Sequence, residues 1–228
     1  MKKERTYYSF GKTNLPLLVT FPRSGTNWIR YIIEYFSDKP TPGETRLKRG
    51  HNYIIDRAHN AKDLINNYNK VILCLRDYKE IFGKHILRFY NEDILTTPQE
   101  LLNKYWRKDQ NVLINDYFNN IIAFDKFKSD KILLYYEDIL FNPKNLKSLL
   151  DFLDIYDENK FNKFKNNFNN LKKKSSNLRS DKNKTTKDND NIKYYSSNFS
   201  DEKLKILDDF IKSKYPIISE KYLERYQL

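Results

Sequence analysis

Cysteine is almost absent from this chain. Cys74 is the single one in 228 residues, so no internal disulfide can form, and a reducing compartment is the natural home. No stretch approaches the ~18 apolar residues that a membrane-spanning helix needs. Met1-Lys2-Lys3-Glu4-Arg5 leads into no apolar signal segment, so a cytoplasmic location without a membrane span is expected. No segment repeats another. Also missing is Gly-x-x-x-x-Gly-Lys-Ser/Thr, the phosphate loop of nucleoside triphosphatases. Acidic residues are in short supply: 30 Asp and Glu face 42 Lys and Arg, for a net charge of +12. That surplus calls for an anionic partner, and nucleic acid, an anionic membrane, a nucleotide or an acidic polymer all qualify.

What is present argues for a folded domain. Apolar residues make up 39% and aromatic residues 15%, too much to remain disordered. The length fits one domain over residues 1–228. The chain is organised around Thr20-Phe21-Pro22-Arg23-Ser24-Gly25-Thr26-Asn27-Trp28. The apolar run from Leu15 to Val19 reads as a buried strand. From Trp28 to Phe36 the apolar residues recur at helical spacing. Between them, Pro22 leaves the strand and Gly25 permits a turn that other residues resist. Ser24, Thr26 and Asn27 suit a helix start. A helix N-terminus offers N–H groups and partial positive charge to an anion, and Arg23 adds a full charge beside it. Composition alone allows a plain strand-to-helix corner equally well.

Further strands are expected at Tyr53–Asp56, Lys70–Leu75 and Lys131–Tyr136. Helices are expected at 61–68, 78–90, 98–127, 143–153, 157–171 and 200–214. Residues 172–193 are almost free of apolar side chains and dense in lysine, which predicts a mobile basic loop. Strands alternating with helices imply a parallel sheet covered on both faces. In such sheets ligands bind beyond the carboxyl ends of the strands. Arg23, His59, Arg76 and Glu137 all fall just after predicted strands, which suggests one shared site.

The turn resembles the cofactor loop of sulfotransferases, which reads Pro-Lys/Arg-Ser-Gly-Thr-Thr/Asn followed by Trp or Leu. Lys70 to Asp77 resembles a second element of that family, a strand ending in Arg. Tyr135-Tyr136-Glu137-Asp138 resembles its Tyr-Glu-Asp segment, and Arg57-Ala58-His59 its Lys-Thr-His segment. These matches are collinear from about Leu15 to Leu153. The resemblance implies a three-layer α/β sandwich with a central parallel sheet, the P-loop-like sulfotransferase fold. It implies an enzyme that moves a sulfuryl group from 3′-phosphoadenosine 5′-phosphosulfate (PAPS) to a hydroxyl or amine, releasing 3′-phosphoadenosine 5′-phosphate (PAP), with no metal.

By that resemblance Arg23, Ser24, Gly25, Thr26 and Asn27 hold the 5′ end of the cofactor, and Arg23 also stabilises the leaving group. Trp28 stacks on adenine, with Tyr136 near it. Arg76 binds the 3′-phosphate. Eight positions on, Lys84 stands where the family has Ser, and a lysine can serve a phosphate as a point charge. His59 is the general base, since imidazole titrates near neutral pH; other branches of the family use Glu. The family's C-terminal Arg-Lys-Gly is missing, and basic residues of 179–193 would have to replace it. The acceptor is a small molecule, a glycan or a lipid bearing a hydroxyl. Tyr90, Tyr105, Trp106 and Tyr117 serve equally as its pocket or as core. The alternatives are a basic nucleic-acid-binding protein, which explains the charge but not the ordered motifs, or a generic nucleotide-binding α/β protein.

Overall fold

Strand residues of alternating direction build two cores on one sheet. In the computed structural model, β1 (Leu17–Thr20), β2 (Asp56–Ala58), β3 (Lys70–Leu75) and β6 (Asp130–Tyr135) are all parallel, in the order β2-β1-β3-β6. The structure describes residues 14–43, 47–62, 64–89, 97–108, 111–177 and 196–228. Leu17, Val19, Val71, Leu73 and Leu75 face one side. There they meet α2 (Tyr78–Phe89), α4 (Asp116–Lys126) and α9 (Asp201–Lys214). Leu18, Ile72, Cys74 and Leu134 face the other. There they meet α1 (Thr26–Ser37), α6 (Lys147–Phe152), α7 (Glu158–Asn166) and α8 (Phe168–Asn177). A strand's period of two makes this possible: each pleat feeds one layer of helices. The protein is therefore α/β, with a parallel four-stranded sheet flanked by helices. Among the described residues no helix is long and apolar enough to cross a membrane.

Three expectations need correction. The helix expected over 98–127 is broken into α3 (Pro98–Leu102), an antiparallel pair of β4 (Tyr105–Arg107) and β5 (Val112–Leu113), and then α4. Asn111, in the left-handed region at φ 50°, makes the reversal between the two strands, where helix cannot continue. The short strand expected over Tyr53–Asp56 forms instead at Asp56–Ala58. The basic stretch does not begin as a loop: Lys172, Lys173 and Lys174 belong to α8. Leu171 and Ser175 are buried and extend the inward stripe of Phe161, Phe164 and Phe168, so the helix runs on. Residues 178–193 of that stretch lie outside the described residues, as does Tyr90.

Two smaller shifts accompany these: the helix expected over 61–68 is a 3₁₀ turn at Ile65–Asn67, and the one expected over 157–171 divides at Asn167 into α7 and α8. At other ends local chemistry sets the boundaries. Ser200 caps α9, its side chain accepting from Lys203 N. Pro143 opens the short helical turn Pro143–Leu146 that leads into α6. Between β6 and that turn, α5 (Tyr136–Phe141) follows the strand without a loop. This abrupt change brings Tyr136 back over the end of β1.

Candidate anion-binding site

The turn after β1 holds two backbone distortions within three residues. Arg23 has φ 76° and Gly25 φ 83°, both left-handed. For Gly25 this is easy. For Arg23 it costs about 1–2 kcal/mol. Ser24 N donates to Phe21 O at 3.0 Å, closing the turn. Gly25 then caps α1, and its carbonyl accepts from Trp28 N at 2.9 Å and Ile29 N at 3.1 Å. The N–H groups of Gly25, Thr26 and Asn27 have no backbone partner among the described residues. This is the opening of a helix at which an anion is welcome. The Ser24 hydroxyl is completely buried and has no hydrogen-bond partner among the described residues. Leaving such a group unsatisfied costs about 1–3 kcal/mol.

The ends of three strands converge on this turn. From β3, Arg76 Nη1 donates to Arg23 O at 3.1 Å. Its guanidinium also lies 4.9 Å from the centre of the Tyr136 ring. That ring packs against Gly25 so closely that a Cβ there would sit 2.1 Å from Tyr136 Cδ2. From β2, His59 Nδ1 meets Thr20 O at 2.6 Å. A carbonyl only accepts, so Nδ1 carries the proton, and Nε2 is the basic nitrogen of the neutral ring. Thr20 Oγ1 in turn lies 2.7 Å from Thr26 Oγ1, which joins His59 to the turn through one residue.

Four further groups hold this arrangement, and two of them, Asn120 and Asp77, were not singled out from the sequence. Asn120, buried on α4, accepts from Ala61 N at 2.8 Å and donates to His59 O at 2.9 Å. It clamps the His59 segment from both sides. Glu137 accepts from Asp77 N at 3.1 Å and from the Tyr226 hydroxyl at 2.7 Å, pinning the ends of β3 and β6 together. Tyr117 donates to Arg76 O at 2.8 Å; burial pushes its hydroxyl well above the usual tyrosine range. Asp77 follows Arg76 and caps α2 by accepting from Lys79 N at 2.8 Å. Burial pushes its carboxyl up to about 7, with Glu80 and Glu137 adding to the shift and Lys79 opposing it. Glu137 carried a signal, its place after a strand, and Tyr117 was named as pocket or core; Asn120 and Asp77 carried none.

The remaining candidates stand apart. Asn27 Oδ1 accepts from Arg30 Nη1 at 3.3 Å, away from the turn. Trp28 is 5% exposed, packed among Tyr31, Phe164 and Phe168 at centroid distances of 5.7–6.0 Å. A base stacking on it would have to displace one of those rings. Lys84 is half-buried on α2. Of the aromatic candidates for an acceptor pocket, Trp106 sits edge-on to Phe21 at 5.3 Å, next to the turn. It also stacks on His85 at 4.3 Å. Tyr105 is exposed, and Tyr117 is core. A cleft of about 300 Å³ opens at the far end of α1, lined by Tyr35, Asp38, Leu47, Lys48 and Lys160. Its two lysines both bond Asp38 and hold that carboxyl near 2, so each lysine is already engaged with a carboxylate.

No family model matches the chain, and no curated protein matches it.

Proposed function

We propose that the protein is a PAPS-dependent sulfotransferase of the P-loop-like sulfotransferase fold. The observation that carries this reading is the turn itself. A left-handed arginine, a fully buried hydroxyl without a partner among the described residues and three helix-opening N–H groups coincide within Arg23–Asn27. Strain and unsatisfied polarity persist where function requires them. The order of the motifs in the sequence supplies the choice among anions, and Arg76 against the same turn supports a ligand with a second anionic group. The fit to PAPS is good at the turn and at Arg76, and poorer at Trp28.

When bound, PAPS supplies an activated sulfuryl group: the acceptor O–S bond forms as the S–O bond to the 5′-phosphate breaks, and PAP leaves with the electron pair. The chain's own residues do the rest. The N–H groups of Gly25, Thr26 and Asn27, with Arg23, bind and neutralise the 5′ end. Arg76 binds the 3′-phosphate. His59 Nε2 takes the proton of the acceptor hydroxyl, and Thr20 O fixes the ring so that this nitrogen is the basic one. Removing one donor that stabilises developing charge commonly costs about 100–1,000-fold in rate.

The test is nucleotide discrimination. PAP should raise the melting temperature far more than AMP or ADP at equal concentration, since two charge-assisted hydrogen bonds are together worth ~3–6 kcal/mol. Arg76→Ala should erase most of that preference and keep weak AMP binding. Equal shifts from all three nucleotides would leave a generic nucleotide binder and end the sulfotransferase reading.

A further inference from the structure

Positive charge is unevenly spread over this protein. Between Asn159 and Ser176 stand Lys160, Lys163, Lys165, Lys172, Lys173 and Lys174, with no acidic residue. The segment from Ser196 to Leu228 carries six Lys and Arg as well, but six Asp and Glu cancel them. The surplus on α7 and α8 is therefore a local feature, beyond the lysine content of the whole chain. The fold gives it one face. Phe161, Phe164, Phe168 and Leu171 are buried, and Lys163, Lys165, Lys173 and Lys174 are exposed. Between them the exposed positions are amides: Asn162, Asn166, Asn167, Asn169 and Asn170.

This face leads to the turn. Phe161 packs near Phe36 at the end of α1, whereas Phe168 packs on Trp28, one helical turn from Gly25. Lys172 Nζ lies 5.9 Å from the ring of Phe141, the 55% exposed last residue of α5. The first residue of α5 is Tyr136, which packs on Gly25. The lysine-bearing end of α8 thus lies at the end of α1 that carries the candidate site.

We propose that the outer face of α7 and α8 binds an acidic polysaccharide and presents it to the turn as the hydroxyl-bearing acceptor; this second half rests on the sulfotransferase reading. Lysines match carboxylate or sulfate groups. Asparagine amides both donate and accept, which suits a polymer of hydroxyls. Phe141 offers an apolar ring to the C–H edge of a sugar. Phe141 is a single ring, and among their described residues α7 and α8 expose no other, so successive bases of a single strand have no row of rings to stack on. The two helices expose no apolar side chain that would enter a membrane either.

Binding of polygalacturonate, neutral dextran, single-stranded RNA and phosphatidylserine vesicles tests this directly. Polygalacturonate should bind most tightly. The triple variant Lys165→Gln, Lys173→Gln, Lys174→Gln should weaken it about tenfold, the loss of three exposed charge pairs. Lys205→Gln, Lys212→Gln, Lys214→Gln changes the net charge equally on α9 and should leave binding as it was. Equal losses from both triples, binding to dextran, or tighter binding to RNA or vesicles overturns the proposal. PAP-dependent stabilisation, measured on the same proteins, separates the two readings. A PAP shift without polysaccharide binding leaves the sulfotransferase standing and removes this surface. Polysaccharide binding without a PAP shift keeps the surface and removes its role as acceptor site.

Discussion

The two ends of α1 treat polar groups in opposite ways. At its start, Ser24 is buried without a partner among the described residues and Arg23 is left-handed. From its second turn to its far end two charged residues, Arg30 and Glu34, are nearly as buried and are well provided for. Glu34, fully buried, accepts from Thr41 N at 2.9 Å, from the Thr41 hydroxyl, and from the backbone N–H groups of Leu47 and Lys48. Arg30 donates to Thr41 Oγ1 at 2.9 Å and lies 3.9 Å from Glu34. Its guanidinium fills the space beside Gly43, where a Cβ would come within 2.5 Å. One helix thus has one end completed by the protein and one end left incomplete. A buried charge satisfied internally is architecture; a buried hydroxyl left wanting is a group whose cost the fold does not recover, in keeping with the ligand proposed there.

The comparison can be broken most forcefully at the completed end. Glu34→Ala strips the acceptor from four donors and leaves Arg30 buried beside an empty space. Loss of one partner from a buried charge network costs ~3–5 kcal/mol, which denaturant melts would show. PAP should still stabilise what remains folded, because the turn is untouched; loss of that stabilisation would mean that the two ends are one cooperative unit.

At the incomplete end the expectation reverses. Arg23→Gly removes the left-handed strain and should hold or raise the melting temperature, while cutting sulfuryl transfer by about 100–1,000-fold. A variant less stable than the parent would show that Arg23 belongs to the architecture.

Asn120 sharpens the contrast within the site, since it is satisfied and yet clamps His59, the group proposed as the base. Asn120→Ala should lower kcat about 10–100-fold with KM little changed, the scale of an ångström's misplacement. Added to His59→Ala it should cost almost nothing more, because it acts through His59. Additive losses would make Asn120 a stability residue only.

The smallest effect concerns Asp77. Its folded carboxyl titrates near 7, above the ordinary 3.8. The native state therefore holds a proton that the unfolded chain has released between those values. Stability falls as pH rises through that window, and the penalty is complete above it. Asn also caps helices, so Asp77→Asn should raise the melting temperature at pH 8 by about 2–4 °C for each kcal/mol relieved, and change it little near pH 4. An equal shift at both pH values would point to the cap instead.

How far the sequence revealed these contrasts depended on which force set each element. The passage from β1 through the turn to α1 was legible because an unbroken apolar run gives way, around a glycine, to apolar residues at helical spacing. β3 and β6 were legible as unbroken apolar runs. The β4–β5 pair was hidden in a stretch whose aromatic residues fit helix or strand, and only the left-handed Asn111 decides it. The completed end of α1 was invisible. Arg30 and Glu34 stand four residues apart, a spacing that any surface ion pair on a helix shares, whereas their partners lie in the 41–48 segment. The packing of Trp28 was hidden too, because its neighbours Phe164 and Phe168 are far off in the chain. Asn120 gave no signal, since nothing local distinguishes a clamping asparagine from a solvated one.

The contact between Gly25 and Tyr136 bears on ancestry. Any methyl at position 25 collides with the ring at position 136, so the two positions are not free to drift separately. Relatives that replace the glycine should carry a smaller residue in place of the tyrosine, and relatives that keep the tyrosine should keep the glycine. A search for distant kin that scores this pair jointly reads a constraint that neither short motif carries by itself.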